Sequence, residues 1–426
     1  MSVEVRKNSQ ISQDSDYILK PDNEEKVSQI IKDLYKKNLP TEIIGSNSKS
    51  FIGNKLQCAK ILDLSKLSGI IEYLPEELYI KVKACTPIAN IEEVLKKNNQ
   101  QLSFEPINFG YISSSKSNKG TAAGCLSCNF SGSRRFKSGS VRDHVLGFRG
   151  VNGKGDTIKS GGTVVKNVTG YDLSKLITGS FGTLVALTEI TFKVLPTKDS
   201  SSTLVIHEDS KEEIAKLFNN IQSSSNEISG SVFVPIEPNN KKYIQNREKI
   251  FRFNDLKNEG PFLALRMEGS KKSIDERIRD LTIELDLKNK KKSLLDVHQS
   301  LLFWERINNL EIFSNTQNSL VRIVIPPFKC IDLMRYLNSD YKYYIDWCGS
   351  LFWIEISDMN EEKLLNIKDY IIRLGGYLTV IKSSENSVPL KDIFTINKTR
   401  LHISKKIKES FDPKGIFNPG KMYRSI

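Results

Sequence analysis

Histidine is scarce in this chain. Only His144, His207, His298 and His402 occur in 426 residues, and they form no His-rich cluster of the kind that ligates a metal. Two nucleotide signatures are also missing: no Gly-x-Gly-x-x-Gly opens a strand-helix-strand unit, and there is no P-loop, so the nicotinamide and nucleoside-triphosphatase readings lose their usual support. No run approaches the ~20 apolar residues that a membrane-crossing helix needs. The opening MSVEVRKNSQ carries charges with no apolar stretch behind them, so a secretory signal is not expected. Six cysteines scattered from Cys58 to Cys348 make no disulfide framework, which fits a reducing cytoplasm. Cys125-Leu-Ser-Cys128 lacks the further ligands that structural zinc requires, and its Gly/Ser-rich surroundings are not the strand-to-helix context of a redox pair. It reads as two small residues packed near a ligand.

What is present describes a globular protein long enough for two domains, with 38% hydrophobic and 27% charged residues. The net charge of +13 is the compositional oddity. Lysine dispersed among Asn, Ile and Ser reads first as a solvated surface and second as attraction to an anionic membrane or an acidic partner. Nucleic acid comes last: the basic run Lys288-Asn-Lys-Lys-Lys292 is short and carries no interleaved aromatics.

Along the chain, strands and helices alternate in an α+β pattern. Pro21-Asp22 opens a helix with Asp22 as cap and Val27, Ile30, Ile31 and Leu34 as its apolar face. A strand at 41–44 runs into Gly45-Ser46-Asn47-Ser48-Lys49-Ser50, a loop of residues that tolerate unusual backbone angles and expose N–H groups. Thr86-Pro87 predicts a second helix start, with Pro at the first helical position. From Phe104-Glu-Pro106 to Gly147 the chain is rich in small residues, costly to order unless a ligand organises it. Arg134-Arg135 in this stretch is a phosphate candidate, with a surface location as the competing reading. Strands 146–151 and 156–159 form a hairpin around Asn152-Gly153-Lys-Gly155. Gly179-Ser-Phe-Gly182-Thr183 is a tight turn whose N–H groups can approach an anionic ligand, and a strand from Leu184 to Leu195 leaves it. A polar linker after Pro196 marks a boundary. Beyond it, residues 321–381 read β-α-β-β-α-β, the ferredoxin-like order, with one sheet face free to cover a ligand. A last helix, 397–410, precedes Phe411 to Met422, where two prolines and two glycines forbid regular structure.

The Asp172-Leu pair, the turn Gly179-Ser-Phe-Gly-Thr-Leu184 and the Thr188-Glu189 strand resemble the FAD-binding half of the vanillyl-alcohol-oxidase superfamily. Lys166, Gly170-Tyr171-Asp172 and Asn418-Pro-Gly-Lys-Met422 resemble, within it, the E-subunit family of bacterial glycolate oxidases. The resemblance implies an FAD-binding domain of that type at 1–197, a ferredoxin-like α+β cap at 198–395 and a tail at 396–426 that rejoins the first domain. It implies non-covalent FAD, because the loop at 45–50 contains no His and no Cys lies near Gly132. It assigns cofactor contacts to Gly45, Ser46, Asn47, Ser48, Lys49, Pro106, Thr121, Gly124, Ser127, Gly132, Gly179, Gly182, Thr183 and Leu187. Ser46 and Asn47 stand where relatives carry glycine.

Oxidising a 2-hydroxy acid needs an electron acceptor, a base for the hydroxyl proton and a cation for the carboxylate. The resemblance supplies FAD. Arg322, on a cap strand, is the candidate for the carboxylate, against a surface reading. No residue stands out as the base, and the His-rich cap motifs of the family's catalytic paralogue are missing. The expectation is therefore an FAD-binding subunit of a glycolate-oxidising complex that makes glyoxylate beside a catalytic flavin subunit and an iron–sulfur subunit. It would be cytoplasmic, with peripheral membrane association as a second reading of the charge. A self-sufficient D-lactate or 2-hydroxy-acid dehydrogenase and a flavin-free scaffold are the alternatives.

Overall fold

A computed structural model describes residues 17–112, 119–163, 170–235, 250–251, 253, 260–337, 341–384, 390 and 393–426; Lys166 lies outside them. The first part of the chain builds two sheets. β1 (Ile18–Leu19), β2 (Thr41–Ile44) and β3 (Lys60–Asp63) pair in parallel in the order β1-β3-β2. β4 (Ile70–Leu74), β5 (Tyr79–Lys83), β7 (Val145–Asn152), β8 (Thr157–Gly161) and β9 (Val185–Lys193) form an antiparallel sheet in the order β4-β5-β9-β7-β8. β9 is its middle strand. Most of it is buried on both faces, which is why Leu187 and Thr188, on opposite faces, are both shielded from water. The short β6 (Gln100–Gln101) and β10 (Leu195–Pro196) pair with each other just before the chain leaves this part.

Two helix starts differ from the sequence expectation. Asn23, not Asp22, caps helix Glu24–Lys37: its side chain accepts the Lys26 N–H, while the Asp22 carboxylate binds the Lys26 ammonium at 2.8 Å. At the second helix, Ile88–Lys96, Pro87 is the cap rather than the first helical residue. The Thr86 hydroxyl is otherwise engaged, donating to the Lys83 carbonyl at 2.7 Å and accepting the Gly69 N–H at 3.0 Å.

The rest of the chain forms one eight-stranded antiparallel sheet. Its strands are β11 (Ser200–His207), β12 (Gly230–Val234), β13 (Phe262–Gly269), β14 (Lys292–Leu295), β15 (Ser319–Val324), β16 (Lys342–Asp346), β17 (Leu351–Ile356) and β18 (Tyr377–Lys382). Their order is β14-β11-β13-β12-β16-β17-β15-β18. Each half carries two crossover helices, Lys211–Ser223 and Lys271–Glu284 in the first, Cys330–Tyr336 and Glu361–Arg373 in the second. The sheet is thus two β-α-β-β-α-β units joined edge to edge through β12 and β16. The sequence reading anticipates the second unit whole and the first as β-α-β-β-α, without β14.

Alternation along the strands separates two cores. Leu204, Ile206, Leu263, Leu265, Ile323 and Ile354 face the four crossover helices. Val205, Val232, Phe262, Tyr344 and Trp353 face the other way, onto Phe303, Trp304 and Ile307 of helix Val297–Asn308 and onto Ile52, Phe109 and Phe130 of the first part. Burying each large side chain here is worth roughly 1.5–3 kcal/mol. The face expected to be free for a ligand is therefore occupied by a helix and by loops of the first part, and this core fixes the cap on the first part. Helix Lys398–Phe411 brings the chain back: the Thr41 N–H donates to the Ile416 carbonyl at 2.7 Å, and the Asn418 N–H donates to the Thr41 carbonyl at 3.0 Å.

Candidate functional site

A groove opens at the end of β2. Its walls are Glu42–Ile44, the loop Gly45–Ser50, Thr121, Gly124, Ser127 and Cys128 of the short helix Ala122–Cys128, Phe181-Gly182 of the turn, Val185 and Leu187 of β9, and Asn418 and Lys421 of the tail. Its cavity volume is about 130 Å³, and it is half open to solvent. Four separate stretches of sequence meet here, and hydrogen bonds hold them in register. The Gly179 N–H donates to Leu126 O at 3.0 Å and the Phe181 N–H to Ser127 O at 2.9 Å, tying the turn to the short helix. The Thr121 hydroxyl accepts the Gly124 N–H at 3.3 Å. Asn418 staples the tail: its Oδ1 accepts the Ile43 N–H at 2.8 Å and its Nδ2 donates to the Phe181 carbonyl at 2.9 Å.

The residue set fits a dinucleotide. Asn47 adopts φ 57°, the left-handed conformation that asparagine tolerates better than most residues, so the loop keeps a glycine-like path without glycine. Hydroxyls of Ser46, Ser48, Thr121 and Ser127 and the ammonium groups of Lys49 and Lys421 line the walls. Burial pushes the Cys128 thiol above its usual range, against the opposing pull of Lys49 and Lys421. Cys125, buried behind it, is pushed up to about 12. Neither is a thiolate at neutral pH, so both are packing residues rather than nucleophiles.

Ten of the expected contacts line the groove: Gly45, Ser46, Asn47, Ser48, Lys49, Thr121, Gly124, Ser127, Gly182 and Leu187. Four do not. Gly179 and Thr183 sit in the turn but off the wall, the Thr183 carbonyl accepting the Lys408 ammonium at 2.7 Å. Pro106 and Gly132 lie where the first part meets the cap. The Gly132 carbonyl accepts the Trp347 indole N–H at 2.9 Å, and a Cβ on Gly132 would stand 2.4 Å from Asn308 Oδ1. Sequence reasoning missed Asn418, Lys421 and Phe181 as wall residues. The first two stand in the Asn-Pro-Gly-Lys motif that carries the resemblance, so the signal was present.

The arginines correct the surface readings. Arg134 is buried between Glu105 at 3.2 Å and Glu268 at 2.8 Å, and Arg266 meets Glu105 at 2.8 Å. Burial works to raise the Glu268 carboxyl, but Arg266 and Arg134 overcome it and hold it at about 2. Arg135 stacks over the Trp347 ring at 4.0 Å. Arg322 is only 5% exposed and lies among the rings of Trp347, Phe130 and Trp353, 5.0, 5.5 and 6.0 Å from their centroids. Among the described residues its Nε has no hydrogen-bond partner. Burial lowers its pKa and Tyr377 opposes that. No histidine lines the groove. His144 is buried, with Nε2 2.8 Å from the Ser138 carbonyl oxygen and its ring against Phe104.

Residues 15–161 match the family described as FAD binding domain, and residues 394–422 match FAD linked oxidases, C-terminal domain. The first span contains the loop and the short helix of the groove and the second contains Asn418 and Lys421, so both matched spans contribute walls to the groove. The solved structure of p-cresol methylhydroxylase superposes with a TM-score of 0.68 at 14% identity, covering 96% of this chain and 89% of that one, which shows the vanillyl-alcohol-oxidase-type α+β fold. D-lactate dehydrogenase of Archaeoglobus fulgidus is 22% identical over 96% of this chain and 91% of its own. Glycolate oxidase subunit GlcE of Escherichia coli is 30% identical over 403 residues, 94% of this chain and 97% of its own. The chain belongs to the glycolate oxidase E-subunit family of FAD-linked oxidoreductases.

Proposed function

We propose that the chain binds FAD non-covalently in the groove and serves in the oxidation of a 2-hydroxy acid, as the E-type subunit of an assembly that converts glycolate to glyoxylate. The observation that carries this is the groove itself, where loop, short helix, turn and tail converge with two lysines and five hydroxyl-bearing residues. FAD, when bound, accepts the two electrons of the oxidation. The chain's own residues have the other tasks. The loop 45–50 and Thr121 hold the dinucleotide, Asn418 keeps the tail against it, and the cap excludes water. Arg322 is the cation for a substrate carboxylate, held ready by its cage of rings.

Among the described residues no histidine lines the groove, and this favours a role beside a catalytic flavin subunit and an iron–sulfur subunit. The basic balance of the chain suits docking on an acidic partner, in the cytoplasm or at the inner face of its membrane. A second reading, a self-sufficient D-lactate or 2-hydroxy-acid dehydrogenase, is favoured by Arg322 alone. The visible spectrum of the purified chain decides. A flavin spectrum that stays oxidised after anaerobic glycolate or D-lactate supports the subunit. One that bleaches supports the dehydrogenase, and no flavin after addition of FAD overturns both.

A further inference from the structure

Lys49 and Lys421 line the same groove from opposite ends of the chain. Among the described residues neither makes an ion pair: Lys49 Nζ donates to the Lys119 carbonyl at 3.2 Å and Lys421 Nζ to the Ser50 carbonyl at 3.3 Å. Each ammonium carries three donors, so one carbonyl leaves it under-used. Lys421 is only 9% exposed, and a desolvated ammonium held by a single carbonyl is costly without an anion.

Two glycines make room for these side chains. A Cβ on Gly120, at φ +81°, would stand 2.5 Å from Lys49 Nζ, and one on Gly53, at φ +99°, would stand 2.7 Å from Lys421 Cε. Any other residue at either position would both strain the backbone and evict a lysine. Both lysines line the groove beside Cys128, and Glu42, the sole carboxylate among the wall residues, offsets only part of the burial that lowers Lys421. Paired cations beside hydroxyl-bearing Ser46, Ser48 and Thr121 match an anion with two adjacent phosphate charges better than a single carboxylate.

We propose that Lys49 and Lys421 clamp the diphosphate of the dinucleotide, so that side-chain charge does in this chain part of what a glycine-lined loop does with backbone N–H groups. The proposal rests on the reading that the groove holds FAD. It is tested on the full-length apo chain by titrating FAD and riboflavin against wild type, Lys49→Met, Lys421→Met and Lys421→Arg at several salt concentrations, with apo melting curves to confirm folding. Each Met variant is expected to weaken FAD by roughly tenfold to a hundredfold and to flatten its salt dependence, with Lys421→Arg near wild type and riboflavin, which lacks phosphate, unchanged. Wild type that takes up no FAD overturns the cofactor reading and the clamp with it. Wild type that binds FAD while the folded Met variants keep its affinity and salt slope, or lose riboflavin equally, overturns the clamp alone. A Lys421→Met chain that does not fold leaves Lys49→Met, partly exposed, to decide.

Discussion

The Ser133 hydroxyl donates to the Asp346 carboxylate across the seam between the first part and the cap, at 2.6 Å. The Trp347 N–H donates to the other carboxylate oxygen, also at 2.6 Å. Burial nevertheless pushes Asp346 up to about 7, the two hydrogen bonds opposing it, Glu105 adding to it and Arg266 offsetting part. A carboxyl raised in the folded state contributes stability that is complete below its unfolded value near 4 and is lost as pH rises through about 7. Wild type is therefore expected to lose melting temperature between about pH 4 and 7 relative to Asp346→Asn, which has nothing to ionise. Parallel curves for the two proteins would remove Asp346 as the cause.

The neighbouring network has the opposite sign. Glu268 is held at about 2 and Glu105 is lowered as well, each by arginines that overcome burial. Their stabilisation is present above the unfolded carboxylate range and is lost as pH falls from about 4.5 toward 2. Glu105→Gln leaves Arg134 and Arg266 buried with too little counter-charge, a loss of about 3–5 kcal/mol. Urea unfolding midpoints at pH 7 check it, and a change under 1 kcal/mol would contradict the network's role.

The pattern of legibility follows from what each signal measures. Periodicity and turn residues placed the strands around the groove, the hairpin at Asn152 and the second cap unit, because those depend on local sequence. The first cap unit was read only in part, as strand, helix, two strands and helix without its last strand β14. Its β12 and β13 are separated by a long stretch, and only pairing in space, Phe233 opposite Ile345, reveals the repeat. Arg134 and Arg322 were misjudged for a related reason. A lone charged residue in a turn or on a strand reads as exposed, and its burial depends on Glu268 for Arg134 and on Trp347 for Arg322, more than a hundred and some twenty residues away in sequence. The groove was legible through small-residue turns, whereas Lys421 enters it only because the tail returns.

Arg322 offers a separable pair of outcomes. Arg322→Met replaces a buried cation lacking a carboxylate by an apolar side chain of similar length, so the melting temperature is expected to hold or rise. If the guanidinium is the carboxylate anchor, the same variant loses 2-hydroxy-acid binding by at least about 2 kcal/mol, some thirtyfold. Arg322→Lys keeps charge but loses the planar fork and stacking, and is expected to recover only part of it. Binding is read by perturbation of the flavin spectrum in the assembled complex. A less stable Arg322→Met protein with unaltered binding would make the residue structural.

Asn418 tests whether the tail organises the groove. The residue is 4% exposed and sits at φ 42°, so Asn418→Ala combines two costs: a left-handed alanine, about 1–2 kcal/mol, and an Ile43 N–H and a Phe181 carbonyl left without their partner, about 1–3 kcal/mol each. Asn418→Gly removes the first cost and keeps the second. If the staple matters more than the backbone, the glycine variant stays close to alanine in both apo melting temperature and FAD affinity. Asn418→Asp keeps the acceptor for Ile43 and loses the donor to Phe181, and is expected to fall between them and wild type in FAD affinity. Isothermal titration with FAD beside melting curves of the apo proteins reads both quantities. A glycine variant that returns to wild-type affinity would show that the tail contributes conformation rather than contact, and the groove would then be held by the loop, the short helix and the turn alone.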